Sequence, residues 1–244
     1  MPMESVENKM TVEIWSDIMC PFCYLGKRKF EVALSRFPER ENVNVIWKSF
    51  LLQPDLKTDT SINIYTYLSQ VKGFEPAQAT QINEHLCQSG RSVGLEYNFD
   101  KIIVANTFKA HSLLHLAREH GKQNEVKESV LKAYFTDGRN VDDIPTLIEI
   151  GNSSGLKSEE LYAALEEDSC IDTVREDIYE AQQLGIRGVP YFVFNKKYGV
   201  SGAQESELFS GVLEKAFTGW KKDNPEMEPV ILNGQTCSSD QNCE

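Results

Sequence analysis

Between residues 11 and 37 the chain sets three things in direct succession: an alternating apolar stretch, two cysteines two residues apart, and a helix-patterned stretch. Few folds accept that order. In "TVEIWS" Val12, Ile14 and Ser16 fall on one side of an extended chain and Glu13 and Trp15 on the other, which predicts a strand. From Tyr24 onward Leu25, Phe30, Ala33, Leu34 and Phe37 recur at helical spacing, and Pro38 closes the run. Cys20 and Cys23 therefore stand at a helix start, beside unpaired amides and the positive end of the helix dipole. Both features favour a thiolate. A free cysteine titrates near pH 8.5, and CxxC motifs bring it to about 3.5–7.5. A two-unit drop needs only about 3 kcal/mol, within reach of the amides, the dipole and nearby Lys27 or Arg28. Such a pair performs disulfide exchange: Cys20 attacks and Cys23 resolves the mixed disulfide. Two blander readings compete. Half of a zinc site needs two more ligands, and neither a second CxxC nor a histidine pair at zinc-finger distance follows. Two inert core thiols at a strand–helix junction are the other.

The rest of the chain supplies the partner elements. Val43 to Leu51 reads as a second strand, ended by Gln53-Pro54. Near the other end, Asp172 to Leu184 reads as a helix stopped by Gly185. Tyr191 to Phe194 and Tyr198 to Ser201 read as a hairpin about Asn195-Lys196-Lys197, and Glu205 to Trp220 as a last helix. "GVPYF" places Pro190 directly before the hairpin. In a strand–CxxC–helix fold a cis-proline there brings the backbone of Val189 beside the sulfurs, so Pro190 is expected to be cis, although only about 5–6% of X–Pro bonds are. Some 115 residues lie between these blocks, too many for a structureless loop. Their pattern is helical: Ile62–Val71, Pro76–Gly90, Asn106–His120, Glu125–Phe135, Ile144–Ser154 and Ser158–Asp168, the last with Ser158 expected to accept from the first free amides. The expected division is a disordered N-terminal extension (1–10), an α/β domain split between 11–54 and 170–220, an inserted all-helical domain (55–169), and a tail (221–244).

Composition narrows the function classes. Lys and Arg total 25 against 37 Asp and Glu, a net charge of −12. Such a surface repels a nucleic-acid backbone, and the basic clusters Lys27-Arg28-Lys29 and Lys196-Lys197 are short. No apolar run reaches the roughly 18 residues of a membrane span, so neither nucleic acid nor membrane is an expected partner. "MPMESVENKM" lacks the basic start and apolar stretch of a secretory signal, so the expected compartment is the cytosol. There six cysteines do not form a disulfide scaffold, and paired ones are more often catalytic or metal-binding.

Three segments together reach a family: "SDIMCPFCYLGK" (Ser16–Lys27), "NTFKAHSLLHLA" (Asn106–Ala117) and "GIRGVPYFVFNKKYGVSGAQ" (Gly185–Gln204). The chain resembles thioredoxin-fold proteins of the DsbA-like superfamily, in particular the FrnE-type cytosolic oxidoreductases, from about Thr11 to Trp220. The resemblance implies a thioredoxin fold with a large helical insertion and thiol–disulfide exchange with protein or small-molecule substrates. Cys20 takes the nucleophile's place, Cys23 the resolver's and Pro190 the cis-proline's, with Pro21, Phe22, Val189, Asn106 and His111 beside the substrate. Kappa-class glutathione transferases and hydroxychromene-carboxylate isomerases share the fold, but typically have serine where this chain has Cys20. A glutathione-dependent transferase or isomerase is therefore the second reading, and a redox-independent chaperone a third. Strongly oxidising members carry histidine beside the second cysteine. Phe22 supplies no charge, which implies a milder acidification of Cys20. Pro21-Phe22 resembles the glutaredoxin dipeptide and leaves glutathione as a candidate redox partner. No bound cofactor or metal is expected.

Other residues have more than one reading. His111, His115 and Glu119 fall on one helix face, as metal ligands or as a polar stripe. Trp15 and Trp47 read as core, and Cys87 and Cys170 as buried bystanders. Cys237 and Cys243 are either a second redox pair that exchanges with Cys20–Cys23 or exposed thiols.

Overall fold

The computed structural model describes residues 9–73, 75–166 and 169–225. Its sheet is built on β1 (Met10–Ser16), which pairs parallel with β2 (Val43–Ser49) and antiparallel with β3 (Tyr191–Phe194). A hairpin adds β4 (Tyr198–Ser201), giving the order β2-β1-β3-β4. The turn residues Asn195 and Lys196 have φ of 50° and 53°, the left-handed pair of a tight hairpin turn, which asparagine accepts more readily than most residues.

Both faces of β1 are covered, so its alternation sorts residues between two layers rather than between core and water. Val12 and Ile14 join Phe192 and Phe194 beneath α1 (Pro21–Arg36) and α9 (Ser206–Asp223). Trp15 points to the other face, against Ala181 of α8 (Ile171–Gln183), and its Nε1 donates to the Asp177 carbonyl at 3.0 Å. Phe30, Phe192, Phe194 and Phe209 form one aromatic cluster at 4.6–6.5 Å between ring centres. Burying each is worth about 1.5–3 kcal/mol, so this cluster fixes α1, and with it the cysteines, against the sheet.

Among the described residues six α-helices lie between β2 and α8: α2 (Ile64–Lys72), α3 (Pro76–Ser92), α4 (Phe108–Glu119), α5 (Gln123–Lys132), α6 (Ile144–Ser153) and α7 (Ser158–Glu166). The architecture is a thioredoxin fold with a large helical insertion. The two parts share a core, because Ile18 and Tyr24 pack with the insertion's apolar residues. Gly185 stops α8 with φ of +69°, and Ile186 N–H closes back on the Ala181 carbonyl, the helix stop read from its sequence.

Three local expectations need correction. The Ser158 hydroxyl donates to Asn152 Oδ1 at 3.1 Å instead of accepting from amides, because Ser158 is already inside α7. The second strand ends at Ser49, not Leu51: the Ser49 and Leu52 amides donate to the carboxylates of Asp177 and Asp17. Finally, α5 gives way at Ala133–Asp137 to a π-helical turn, closed by Gly138 with φ of +68°.

Candidate active site

Cys20 is the residue before the first turn of α1, and Pro21 supplies its first helical position. Proline there has no amide to waste and a φ already helical. Cys23 lies one turn in, and its amide donates to the Cys20 carbonyl at 3.0 Å. Both are free thiols. Cys20 keeps 4% of its surface and Cys23 none, so Cys20 is the sulfur of the pair that solvent reaches. The Val189–Pro190 peptide is cis, and Cys20 Sγ lies 3.5 Å from the Val189 carbonyl oxygen. Gly26 permits this approach: a Cβ there would sit 2.9 Å from Pro190 Cγ. On the other side, Tyr97 Oη of the insertion donates to the Pro21 carbonyl at 2.8 Å.

The Cys20 side opens on a cavity of about 210 Å3 between the motif and helices α2 and α3. Met19, Phe22, Leu52, Tyr67, Leu68 and Leu86 line much of it, and among the described residues no charged side chain does. Phe22 forms its rim and is 45% exposed. A cleft of about 410 Å3 on the insertion includes Cys87 but neither motif sulfur.

Behind the sulfurs the site is polar and closed. Asp17 is fully buried and accepts from Thr107 Oγ1 at 2.8 Å and the Leu52 amide at 2.7 Å. His111 Nε2 and the Met19 amide approach it at 3.4 Å. Burial works to raise the Asp17 carboxyl, but its hydrogen bonds with His111, the Leu52 amide and Thr107 outweigh it and hold the group below its ordinary value. Burial dominates at His111 and pushes it down despite Asp17, so its ring is neutral. Cys20 is pushed well up, by its neighbour Cys23 first and by burial second. Burial opposes ionisation of Cys23 as well, but its polar neighbours Cys20 and Ser16 and the charge of Lys127 overcome it, and its thiol is lowered. The acidification expected at Cys20 is not found there: its neighbour Cys23 and burial push it up first and the Asp17 charge adds to them, while Lys127 acts on the Cys23 side.

The residues expected beside the substrate divide between two places. Pro21 and Phe22 line the cavity, and Val189 and Pro190 stand at Cys20. His111 is 1% exposed and sits behind the sulfurs on Asp17. Asn106 ties a loop: its Nδ2 donates to the Leu56 carbonyl at 2.8 Å, and its Oδ1 accepts from the Phe108 amide at 2.7 Å. His115 goes to Ser49 and Asp177, and Glu119 is exposed, so that stripe does not converge. Trp15 and Trp47 are core. Cys170 is buried, and Cys87, half-buried, donates to the Tyr97 carbonyl. Cys237 and Cys243 lie outside the described residues.

The pattern of the DSBA-like thioredoxin domain matches residues 11–214. The chain belongs to that family. A solved structure described as a probable DsbA oxidoreductase from Streptomyces coelicolor is 37% identical, covering 96% of this chain and 98% of its own, with a TM-score of 0.80. The Bacillus subtilis (strain 168) protein YwbO is 27% identical over 213 residues, 86% of this chain and 97% of YwbO. The cytosolic disulfide reductase DsbM of Pseudomonas aeruginosa, solved also with GSH, shares the fold at 14% identity and a TM-score of 0.58, over 87% of this chain and 98% of its own. In this DsbA-like frame the signals for Cys20, Cys23 and Pro190 were on the surface of the sequence. Asp17, Tyr97, Lys127 and Glu128 carried none, because a buried charge uses the same letters as an exposed one.

Proposed function

We propose that the protein is a thiol–disulfide oxidoreductase of the FrnE type, in which Cys20 attacks a substrate disulfide and Cys23 resolves the mixed disulfide. The observation that carries the reading is the asymmetry of the pair: one sulfur at the mouth of a cavity beside the Val189–Pro190 backbone, the other fully enclosed a helical turn away. Cys23, one helical turn away, takes up the Cys20 proton as a substrate docks, so that the negative charge sits on Cys20. Attack then forms a Cys20–substrate disulfide and releases a substrate thiolate. Cys23 attacks Cys20 in turn, releasing the second substrate thiol and leaving the Cys20–Cys23 disulfide. The reverse sequence oxidises a substrate dithiol.

The cavity lining favours polypeptide substrates with an apolar side chain near the cysteine. Glutathione carries two carboxylates that would find Gln53, Asn83 and Tyr67 but no cation among the described lining residues, so it serves better as a small redox partner than as the main substrate. No described helix is long and apolar enough to cross a membrane, and the cytosol remains the compartment we assign. Residues Cys237 and Cys243 are proposed to relay oxidising equivalents to the main pair.

The test is trapping. Cys23→Ser should accumulate a mixed disulfide with a disulfide-containing peptide, and Cys20→Ser should form none. Full glutathione-dependent turnover in Cys23→Ser would instead favour the transferase or isomerase reading.

A further inference from the structure

Helix α5 of the insertion is docked directly behind the cysteine helix. At one end Gln123 brackets the backbone of Trp47, accepting from its amide at 2.9 Å and donating to its carbonyl at 2.8 Å, and Asn124 accepts from its indole at 3.0 Å. One turn later Glu128 accepts from Tyr24 Oη and Lys27 Nζ, each at 2.7 Å, and from Arg28. Lys127 lies between these anchors and is fully enclosed. Among the described residues its ammonium has no hydrogen-bond acceptor, and its Nζ stands 5.5 Å from the centre of the Trp47 ring. A buried ammonium without an acceptor costs several kcal/mol, and a methionine would fill the same space without that cost.

The charges around it say what the amine is for. From α1 come Cys23, Cys20 and Lys27; from the end of β1, Asp17; from α4, His111, itself beside His115. His111 is neutral, Lys27 is held by Glu31 and Glu128, and Asp17 is already occupied by Thr107 and the Leu52 amide. The anion left for Lys127 is a cysteine thiolate. We propose that Lys127, carried by the inserted helical domain, is the positioning cation for the Cys23 thiolate of the reduced pair, and makes that pair more oxidising than Pro21-Phe22 alone would.

The assignment rests on the exchange reading above. When a substrate dithiol reduces the Cys20–Cys23 bond, its two electrons break that bond and its own sulfurs join as a disulfide. Of its two protons, one ends on Cys20 and one on the Lys127 amine, leaving Cys23 as thiolate. Burial pulls Lys127 down to about 8, against the upward pull of Cys23 and Asp17. The amine therefore binds a proton readily when the thiolate is present and gives it up when Cys23 is tied in a disulfide. The cation that Phe22 fails to supply on the exposed side is supplied from the buried side.

The experiment measures the redox equilibrium of the full chain against glutathione and dithiothreitol, with the ultraviolet absorbance of the thiolate followed against pH. Lys127→Met, and Lys127→Gln as a second neutral variant, should shift the equilibrium about tenfold toward the oxidised pair, equivalent to about 30 mV. The thiolate should then appear only at higher pH, while the thermal midpoint of the methionine variant stays level or rises. An unchanged equilibrium and thiolate titration in both variants overturns the role of Lys127. A wild-type pair that exchanges with neither reagent overturns the exchange reading itself.

Discussion

Replacing Asp17 by asparagine tests the polar floor of the site. The carboxylate accepts from the Leu52 amide at 2.7 Å and from Thr107 Oγ1 at 2.8 Å, with no exposed surface. An asparagine carbonyl keeps the Leu52 bond, and its amide faces Thr107 and His111, which can accept after a hydroxyl rotation and a change of tautomer. What is lost is charge assistance in two bonds, each worth about 1.5–3 kcal/mol with a charged partner against about 1 without. The expected cost is about 2–3 kcal/mol, or about 5–10 °C in the thermal midpoint of a chain this size. Asp17→Ala also leaves the Leu52 amide and the Thr107 hydroxyl without a partner and should cost more, about 4–5 kcal/mol. The sign with pH follows from the lowered carboxyl: its stabilisation is complete above the ordinary value of 3.8 and is lost as pH falls through the folded value. His111, held below its ordinary 6.5, adds an earlier loss beginning as pH falls through that value, because the unfolded ring takes up the proton first. Melting curves between pH 3 and 8 check both variants. Midpoints within a degree of wild type for both, or an asparagine variant that retains the steep loss below about pH 4, would refute the assignment of Asp17 as a charged structural acceptor.

Three further perturbations separate the roles around the pair. Gly26→Ala drives a methyl to 2.9 Å from Pro190 Cγ and should slow peptide exchange about tenfold, about 1.4 kcal/mol in the barrier; stopped-flow exchange at an unchanged rate would show that this contact does not matter. Tyr97→Phe removes the bond to the Pro21 carbonyl and should cost about 1 kcal/mol, read from urea midpoints. Cys20→Ala with Cys23→Ala should abolish exchange while the melting midpoint holds; suppression of aggregation undiminished by this double change would favour a chaperone role for the groove.

The parts of the fold that the sequence made legible are those set by local physics. The alternation of β1, the stop at Gly185 and the left-handed turn at Asn195-Lys196 depend on residues within a few positions of each other. The site was legible where its chemistry needs a rare residue, as at Cys20, Cys23 and Pro190. It was not legible where long-range packing decides. Nothing in "EVKES" distinguishes Lys127, which is enclosed, from Lys122, which is exposed on the same helix approach. His111 and His115 show why shared helix-face spacing misleads as a metal signal: α4 lies between two acids of the thioredoxin part, and each histidine takes a different one, Asp17 and Asp177. The helix start and nearby Lys27 or Arg28 point to Cys20 as the acidified sulfur, whereas the surroundings of the buried pair push Cys20 up and Cys23 down, with Lys127 among the causes at Cys23 although it stands on a helix about 100 residues away in sequence.

That long-range dependence bears on whether the thioredoxin part stands alone. Joining residue 54 to residue 170 by a short linker would keep every strand and the whole CxxC helix. It would also strip the cover from Ile18, Tyr24 and Trp47, which are now 0%, 3% and 2% exposed. Exposing three such side chains costs about 4.5–9 kcal/mol at about 1.5–3 each, comparable to the whole stability of about 5–15 kcal/mol usual for a folded protein. Asp17 would lose Thr107 and His111, and Lys27 would keep only Glu31 of its two carboxylates. The excised domain is therefore expected to lack a cooperative melting transition at 25 °C and to expose apolar surface to a hydrophobic dye. A sharp transition with exchange kinetics equal to the full chain would mean that the insertion only shapes the cavity and takes no part in building the redox centre.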